Sequence, residues 1–275
     1  EAVDLVEDGG RVVGVRANTP EGPLEIRADL TVGCDGRHST VRERAGFKPD
    51  DLGAPMDVLW FHMPKKAGDP AQTMGRFDAG RLVVLLDRGD YWQCAFLIPK
   101  GSIEDTKRAG LAAFRQSVAQ AVPLFADRVD DLKDWDQIKL LTVAVNRLER
   151  WHRPGLLCIG DAAHAMSPIG GVGVNLAVQD AVAAANILWQ PLAAGKVSEE
   201  DLDRVQKRRE FPTRIIQRLQ VIVQNNVIDR VLGAGKGLQA PLLLRLMSHL
   251  APLRRIPARI VGVGVRPEHV RSPEA

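Results

Sequence analysis

Two apolar runs, far apart in the chain, each end in an aspartate beside a glycine. The first leads through Val32-Gly33-Cys34-Asp35-Gly36 into Arg37-His38-Ser39-Thr40-Val41-Arg42. The second is Leu156-Leu157-Cys158-Ile159-Gly160-Asp161. It continues as Ala162-Ala163-His164-Ala165-Met166-Ser167-Pro168-Ile169-Gly170-Gly171-Val172-Gly173-Val174-Asn175. An apolar strand that delivers a carboxylate and a glycine to its carboxyl end, with a helix start directly after it, is the grammar of an α/β sheet that binds a nucleotide. Ligands in open α/β sheets sit at those carboxyl ends.

Each motif has a chemical reading and a plain one. In the first, a carboxylate accepts hydrogen bonds from sugar or ribitol hydroxyls, glycine lets backbone approach closely, and Arg37 or Arg42 can meet phosphate. The plain reading is a strand end followed by a helix cap at Ser39. In the second, glycines lead straight into a helix, whose first N–H groups are unpaired and carry partial positive charge. That end suits a phosphate or developing negative charge. The plain reading is a turn built for tight packing, which the joint presence of Asp161, Pro168 and the glycines disfavours.

Between the motifs the pattern changes. Val58 to Phe61, Leu82 to Leu86 and Tyr91 to Ile98 are short β-rich runs separated by turn residues, and they predict an antiparallel sheet. Ser102 with Asp105 predicts a capping box, Leu111, Phe114, Val118 and Val122 a helix, and Ile138 to Val145 a returning strand. Before the first motif, Val3 to Val6, Gly9-Gly10 and Val12 to Val15 predict a hairpin. A helix is predicted from about Val174 to Leu188, and mostly helix from about residue 198 onward.

Composition narrows the class. Hydrophobic residues at 45% and charged residues at 26% of 275 exclude a disordered, collagen-like or disulfide-framework chain. Lys+Arg 37 against Asp+Glu 34 gives only +3, which argues against a dedicated nucleic-acid binder. Cys34, Cys94 and Cys158 are odd in number and scattered, so neither a metal site nor a disulfide framework is expected, and a reducing, cytoplasmic setting is. Arginines such as Arg214, Arg218, Arg230 and Arg245 interrupt the C-terminal apolar stretches. The basic residues Lys207, Arg208, Arg209, Arg214, Arg218, Arg254, Arg255 and Arg259 read as solvated charges on a helical cover. A membrane-surface, subunit or partner contact is the alternative.

Taken together, the two motifs resemble those of the single-component FAD-dependent aromatic monooxygenases, the p-hydroxybenzoate hydroxylase-like family. Asp35, Gly36, Ser39 and Arg42 match D-G-x-x-S-x-x-R. Gly160, Asp161, Ala162, Ala163, His164 and Pro168 match G-D-A-A-H-x-x-x-P, and Gly171, Gly173 and Asn175 match G-x-G-x-N. The resemblance covers most of residues 1–190. It implies an α/β fold: an FAD-binding Rossmann-like domain with an inserted antiparallel β-rich substrate domain and a helical C-terminal region. The expected boundaries are 1–50 and 151–195 for the FAD-binding domain, 51–150 for the insert and 196–275 for the helical region. The family's G-x-G-x-x-G unit is not found. Gly233-Ala234-Gly235-Lys236-Gly237 does not fit it. The opening at Glu1, inside a strand, together with this gap, suggests an N-terminally truncated chain, inactive by itself.

The resemblance also implies roles. The cofactors would be FAD with NADH or NADPH, and the substrate a small aromatic molecule hydroxylated with dioxygen, the oxidising chemistry belonging to the cofactor. Asp161 would bond the ribitol, following Gly160. Gly171, Val172, Gly173, Val174 and Asn175 would present N–H groups to the pyrimidine edge of the flavin. Asp35 and Gly36 would lie near both cofactors, with Arg42 or Arg37 helping to hold the nicotinamide cofactor. Pro168 would shape the wall beside the reacting ring. His164 reads as a packing or loop-fixing residue. Trp60, His62, Trp92 and Phe96 are substrate-pocket candidates, and His62 could take a phenolic proton as a catalytic base. Two other readings stand beside this one. A flavin-dependent halogenase would need W-x-W-x-I-P, of which Trp92 to Pro99 keeps Ile98-Pro99 but lacks the second tryptophan. A remnant scaffold acting as an interaction protein is the other. Homo-oligomerisation is open, and peripheral membrane contact is not favoured.

Overall fold

The computed structural model describes residues 1–78, 80–225, 259–260 and 262–273. The chain forms two compact units. One comprises residues 1–53 and 144–220 with the described C-terminal residues, and the other Ala54–Val143 with residues 221–225. Gly233 to Gly237, Arg230, Arg245, Arg254 and Arg255 lie outside the described residues.

The first unit opens with the predicted hairpin. Strands β1 (Ala2–Asp8) and β2 (Arg11–Thr19) join through Gly9 and Gly10. Both glycines have positive φ, 54° and 80°, as a tight two-residue hairpin demands. Strand β3 (Gly22–Arg27) completes this sheet, in the order β1-β2-β3. Strand β4 (Thr31–Gly33) follows, then helix α1 (Thr40–Arg44) and β5 (Asp50–Asp51). Ser39 caps α1 by accepting from the Arg42 N–H at 2.9 Å. Gly33 is needed by packing: a Cβ there would stand 2.9 Å from Val41 Cγ1 and 3.2 Å from Cys158 Sγ.

The second unit is a sheet backed by helices. It contains β6 (Met56–Pro64), β7 (Met74–Asp78), β8 (Arg81–Asp87), β9 (Tyr91–Pro99), helices α2 (Ile103–Arg108) and α3 (Leu111–Ala121), and β10 (Lys139–Leu141). The strand order is β10-β6-β9-β8-β7, antiparallel throughout. Leu59, Phe61 and Met63 of β6 and Trp92, Cys94, Phe96 and Ile98 of β9 alternate onto one face. There they pack with Phe114, Val118 and Phe125. Two expectations are corrected here. Ser102 precedes α2 but makes no side-chain cap, because its Oγ donates back to the Pro99 carbonyl at 2.7 Å while Asp105 pairs with Arg108. The returning strand is only Lys139–Leu141, since Thr142 onward leaves the sheet and Asp57 holds the Val143 N–H at 3.0 Å.

The first unit then resumes with β11 (Asn146–Arg147), β12 (His152–Arg153), β13 (Leu156–Cys158), α4 (Gly173–Ala193) and α5 (Glu199–Val223). β13 pairs in parallel with β4, placing Cys158 opposite Gly33, and β12 pairs antiparallel on the other side of β13. The two predicted aspartate-bearing strands are therefore neighbours with their carboxyl ends at the same edge. Leu157, Cys158, Ile159, Trp151, Ala184 and Leu188 form the core beneath them, with Leu202 and Val205 of α5.

A buried ion pair ties down the loop after β6. Arg128 donates to Asp69 at 2.7 Å, and their side chains are 5% and 4% exposed. The Trp92 indole N–H also donates to Asp69, at 2.9 Å. Burial by itself works against the Asp69 charge, but these donors and the Lys66 N–H override it and lower its pKa from 3.8 to about 2. Removing one partner of such a pair strands the other. Asp69→Ala is therefore expected to cost about 3–5 kcal/mol at neutral pH in urea denaturation followed by tryptophan fluorescence. A depressed carboxylate pKa stabilises above the unfolded value and loses that effect as pH falls through the folded one. The deficit of the variant should thus shrink between pH 3.8 and about 2. A deficit constant across that window would show that packing, not charge, is what Asp69 contributes.

Candidate functional site

The parallel pairing of β4 and β13 brings the two motif loops together, and Arg42 fastens one to the other. Its guanidinium donates to the carbonyls of Asp161 at 3.5 Å and Ala162 at 3.2 Å, and to the Arg37 carbonyl at 2.7 Å. A planar fork with several fixed donors suits this task, which a lysine could not perform. The Asp35 carboxylate turns back onto α1, accepting from the Ser39 hydroxyl and from the Val41 N–H at 3.1 Å. Gly36 takes the positive φ, 86°, that lets the chain turn there. The plain cap reading of the first motif is thus what the Asp35 and Ser39 side chains do locally.

Asp161 behaves differently. It sits in a single 3-10 turn, Gly160–Ala162, directly after β13 and is half-buried. Its backbone is held by Arg42, and among the described residues no donor reaches its carboxylate. Gly160 is needed by packing: its φ is 58°, and a Cβ would meet Ala177 Cβ of α4 at 3.0 Å. Its N–H goes to the Asp180 carboxylate at 3.1 Å.

Asp180 is the hub that the motifs do not announce. It lies on α4 with no exposure and accepts from Gly160 N, from His164 Nε2 at 2.5 Å and from Arg209 Nε of α5 at 2.9 Å. Burial alone would raise its pKa, but the His164 ring and the Arg209 guanidinium outweigh that and hold the carboxyl below its usual range. His164 is buried against Trp151, with ring centroids 4.9 Å apart, as a loop-fixing residue would be. Arg209 also donates to the carbonyl of Arg266 at 3.2 Å and faces Glu268 at 3.6 Å. The solvated-cover expectation is therefore wrong for Arg209, which is 0% exposed because two buried acids flank it. Lys207, Arg208 and Arg214 are paired at the surface with Asp203, Glu268 and Glu210.

Two glutamines of α5 reach different segments, Gln217 the one before the loop from Ser167 to Val172 and Gln220 that loop itself. Gln217 Nε2 donates to the carbonyls of Asn146 at 2.8 Å and Ala165 at 3.1 Å. Gln220 Nε2 donates to those of Ser167 and Ile169, both at 2.9 Å. Pro168 stands between these last two carbonyls. Gly170 and Gly171 have φ of 78° and 63°, and a Cβ on Gly171 would meet nothing within 4 Å. No side chain caps α4, which starts at Gly173. The Val172 side chain packs with Leu176 and Ile216, whereas Val174 is 73% exposed and Asn175 is exposed. An open carboxylate, an open glycine cradle and an uncapped helix start fit a flavin. Asp161 would take ribitol hydroxyls, and the backbone from Gly171 to Asn175 the polar edge of the ring. Sequence reading missed Asp180, Arg209, Gln217 and Gln220. The only signal was their spacing along the helices, with polar residues where apolar ones were sought.

The insert candidates separate by face. Trp92 and Phe96 are core residues of the sheet. Trp60 and His62 lie on the opposite face of β6, and the exposed His62 ring is tilted against Tyr91 at 4.6 Å. A cleft of about 630 Å³ in the first unit is lined by Glu149, His152, Glu200 and Asp203 among others, and contains no motif residue.

A parallel strand pair whose carboxyl ends meet an open aspartate and a glycine-led helix is the arrangement of an α/β sheet that takes a ligand at its strand ends. The FAD binding domain family matches residues 1–219, and the chain belongs to it. The fold class expected from the motifs, a Rossmann-like FAD domain with a β-rich insert, holds, as does the likeness to FAD-dependent aromatic monooxygenases. The 6-methylpretetramide 4-monooxygenase of Streptomyces rimosus is 38% identical over 258 residues, covering 92% of this chain and 61% of that one. PqsL, a probable FAD-dependent monooxygenase from Pseudomonas aeruginosa, is similar in structure with a TM-score of 0.67 at 22% identity. That match covers 83% of this chain and 64% of PqsL. The flavin-dependent brominase Bmp2 gives a TM-score of 0.71 at 17% identity, over 95% of this chain and 64% of that one. Both structural likenesses are of fold alone. The chain spans less than two thirds of each of these proteins, 61% to 64%.

Asp161→Ala in the natural protein is expected to weaken FAD binding about ten- to a hundredfold, the effect of losing a charge-assisted hydrogen bond of roughly 1.5–3 kcal/mol. The apoprotein melting temperature should hardly change. Unchanged flavin affinity with a clearly less stable apoprotein would mean that Asp161 only shapes its own loop.

Proposed function

We propose that the protein is an FAD-dependent monooxygenase that inserts one oxygen atom from dioxygen into an aromatic small molecule, with NADH or NADPH as reductant. The observation that carries this reading is the joining of the two motif loops by Arg42 beside an Asp161 carboxylate with no donor among the described residues. Bound FAD supplies the oxidative chemistry. The chain's own residues hold and orient it: Asp161 at the ribitol, the Gly171 to Asn175 backbone at the ring, Pro168 beside the reacting face. The β-rich unit takes the substrate, and the candidate to accept a phenolic proton is His62, whose exposure on the face of β6 opposite its core supports this reading. The 38% identity to an enzyme named for oxygenation of 6-methylpretetramide supports an aromatic substrate. A halogenating activity is disfavoured: in register with Ile98-Pro99 the tryptophans of W-x-W-x-I-P would fall at Cys94 and Phe96 on the buried face of β9, so likeness of fold to a brominase does not extend to that motif.

The test is to purify the natural protein and look for bound flavin. It is then supplied with NADH or NADPH and a panel of phenols, 6-methylpretetramide included, and products carrying one added oxygen are sought by mass spectrometry. A flavin-bound protein that incorporates bromide or chloride instead would overturn the hydroxylase reading. The 275 residues by themselves contain no G-x-G-x-x-G loop. They are expected to bind FAD more weakly than micromolar in a fluorescence titration and to turn over nothing. Sub-micromolar binding would show that the loops from Asp161 to Asn175 suffice.

A further inference from the structure

The buried face of α5 is polar where a core helix is usually apolar. Gln206, Arg209, Thr213, Gln217 and Gln220 are all buried on it, at helical spacing. Gln206 accepts from the Trp151 N–H and donates to the Glu149 carbonyl, Arg209 donates to Asp180, and Gln217 donates to Asn146 and Ala165. Gln220 is the member that reaches Pro168. One amide nitrogen donates to the carbonyl before that proline and to the carbonyl after it. Its own Oε1 is buried, and among the described residues it has no partner.

An amide left half-satisfied in a buried site is costly, and an apolar side chain of the same size would avoid that cost. Proline has no N–H with which to anchor itself; its own carbonyl accepts from the Gly171 N–H at 3.0 Å, and the carbonyls on either side of it go to Gln220. Gly170 and Gly171, immediately beyond, take positive φ and offer little stiffness of their own. We propose that Gln220 is a positioning residue for the flavin wall: it fixes Pro168 against the ring by clamping the carbonyls of Ser167 and Ile169. This rests on the flavin reading above. Asp161 is held by a different set, Arg42 on its backbone and Asp180 on the preceding glycine, so the two parts of the site are separable.

The test uses the natural protein loaded with FAD. Gln220→Met keeps size and removes both donors. It is expected to shift the visible absorption maximum of bound flavin and to change the affinity of sulfite, a small nucleophile that adds to the flavin ring, by at least threefold. FAD affinity should change by less than threefold. Gln217→Met, one turn earlier, is expected to lower the melting temperature while leaving the flavin spectrum and sulfite affinity as in the wild type. If Gln220→Met does not fold, Gln220→Glu is measured in its place, since a carboxylate opposite two carbonyls loses the same donors, and the same outcome is expected. A variant at Gln220 that is less stable yet identical in spectrum and sulfite affinity overturns the inference and leaves the proposed function standing. A wild-type protein that holds no FAD overturns both.

Discussion

Asp180, on α4, accepts from three donors: the backbone of Gly160 and the ring of His164, both in the loop after β13, and the guanidinium of Arg209 on α5. A carboxylate with no exposure survives as an anion only if its lone pairs are filled by strong donors. Meeting that condition forces the loop after β13, helix α4 and helix α5 into one arrangement. The cost of leaving any partner out keeps the arrangement from relaxing into alternatives. The C-terminal residues join the same network, since the Arg266 carbonyl and Glu268 occupy the remaining side of Arg209.

The consequence for chemistry lies in which groups remain free. Arg42 uses its donors on the carbonyls of Arg37, Asp161 and Ala162, Gln217 uses its amide on those of Asn146 and Ala165, and Gln220 on those of Ser167 and Ile169. Backbone carbonyls in the two loops are thereby satisfied from within the protein. Among the described residues, no donor reaches the Asp161 carboxylate, and no side chain caps the start of α4. A site preorganised in this way meets a ligand without having to order itself first. Gly33 and Gly160 make the close approach possible, because a side chain at either would push α1 or α4 away from the strand ends.

The insert obeys a separate logic. Its strands alternate one apolar face onto α3, and its loops are tied by ion pairs, the buried Asp69 with Arg128 and the buried Asp57 with the exposed Lys100. Because β6 alternates, Phe61 and Met63 are committed to the core while Trp60 and His62 are turned to the other face. Trp92 and Phe96, chosen as pocket candidates for being aromatic, fall on the core side for the same reason.

What the sequence by itself determined is local. The strand ends at Gly33 and Cys158, the cap at Ser39, the Gly9-Gly10 turn and the start of α4 were all legible, because each is dictated by a few adjacent residues with strong conformational preferences. The motif residues Asp161 and Gly171 to Asn175 could be singled out for the same reason. Ser102 shows the limit. Its spacing to Asp105 satisfied a capping rule, yet the hydroxyl found the Pro99 carbonyl first. Only the tertiary structure decided that β4 and β13 are neighbours, that Arg42 spans their loops, and that the Asp35 carboxylate bonds back onto α1 while, among the described residues, no donor reaches that of Asp161. It alone decided that Arg209, Gln217 and Gln220, polar residues on a helix that reads as a solvated cover, are buried. The physical reason is that a polar side chain is compatible with water or with a buried partner, and the partner here is contributed by chain dozens of residues away.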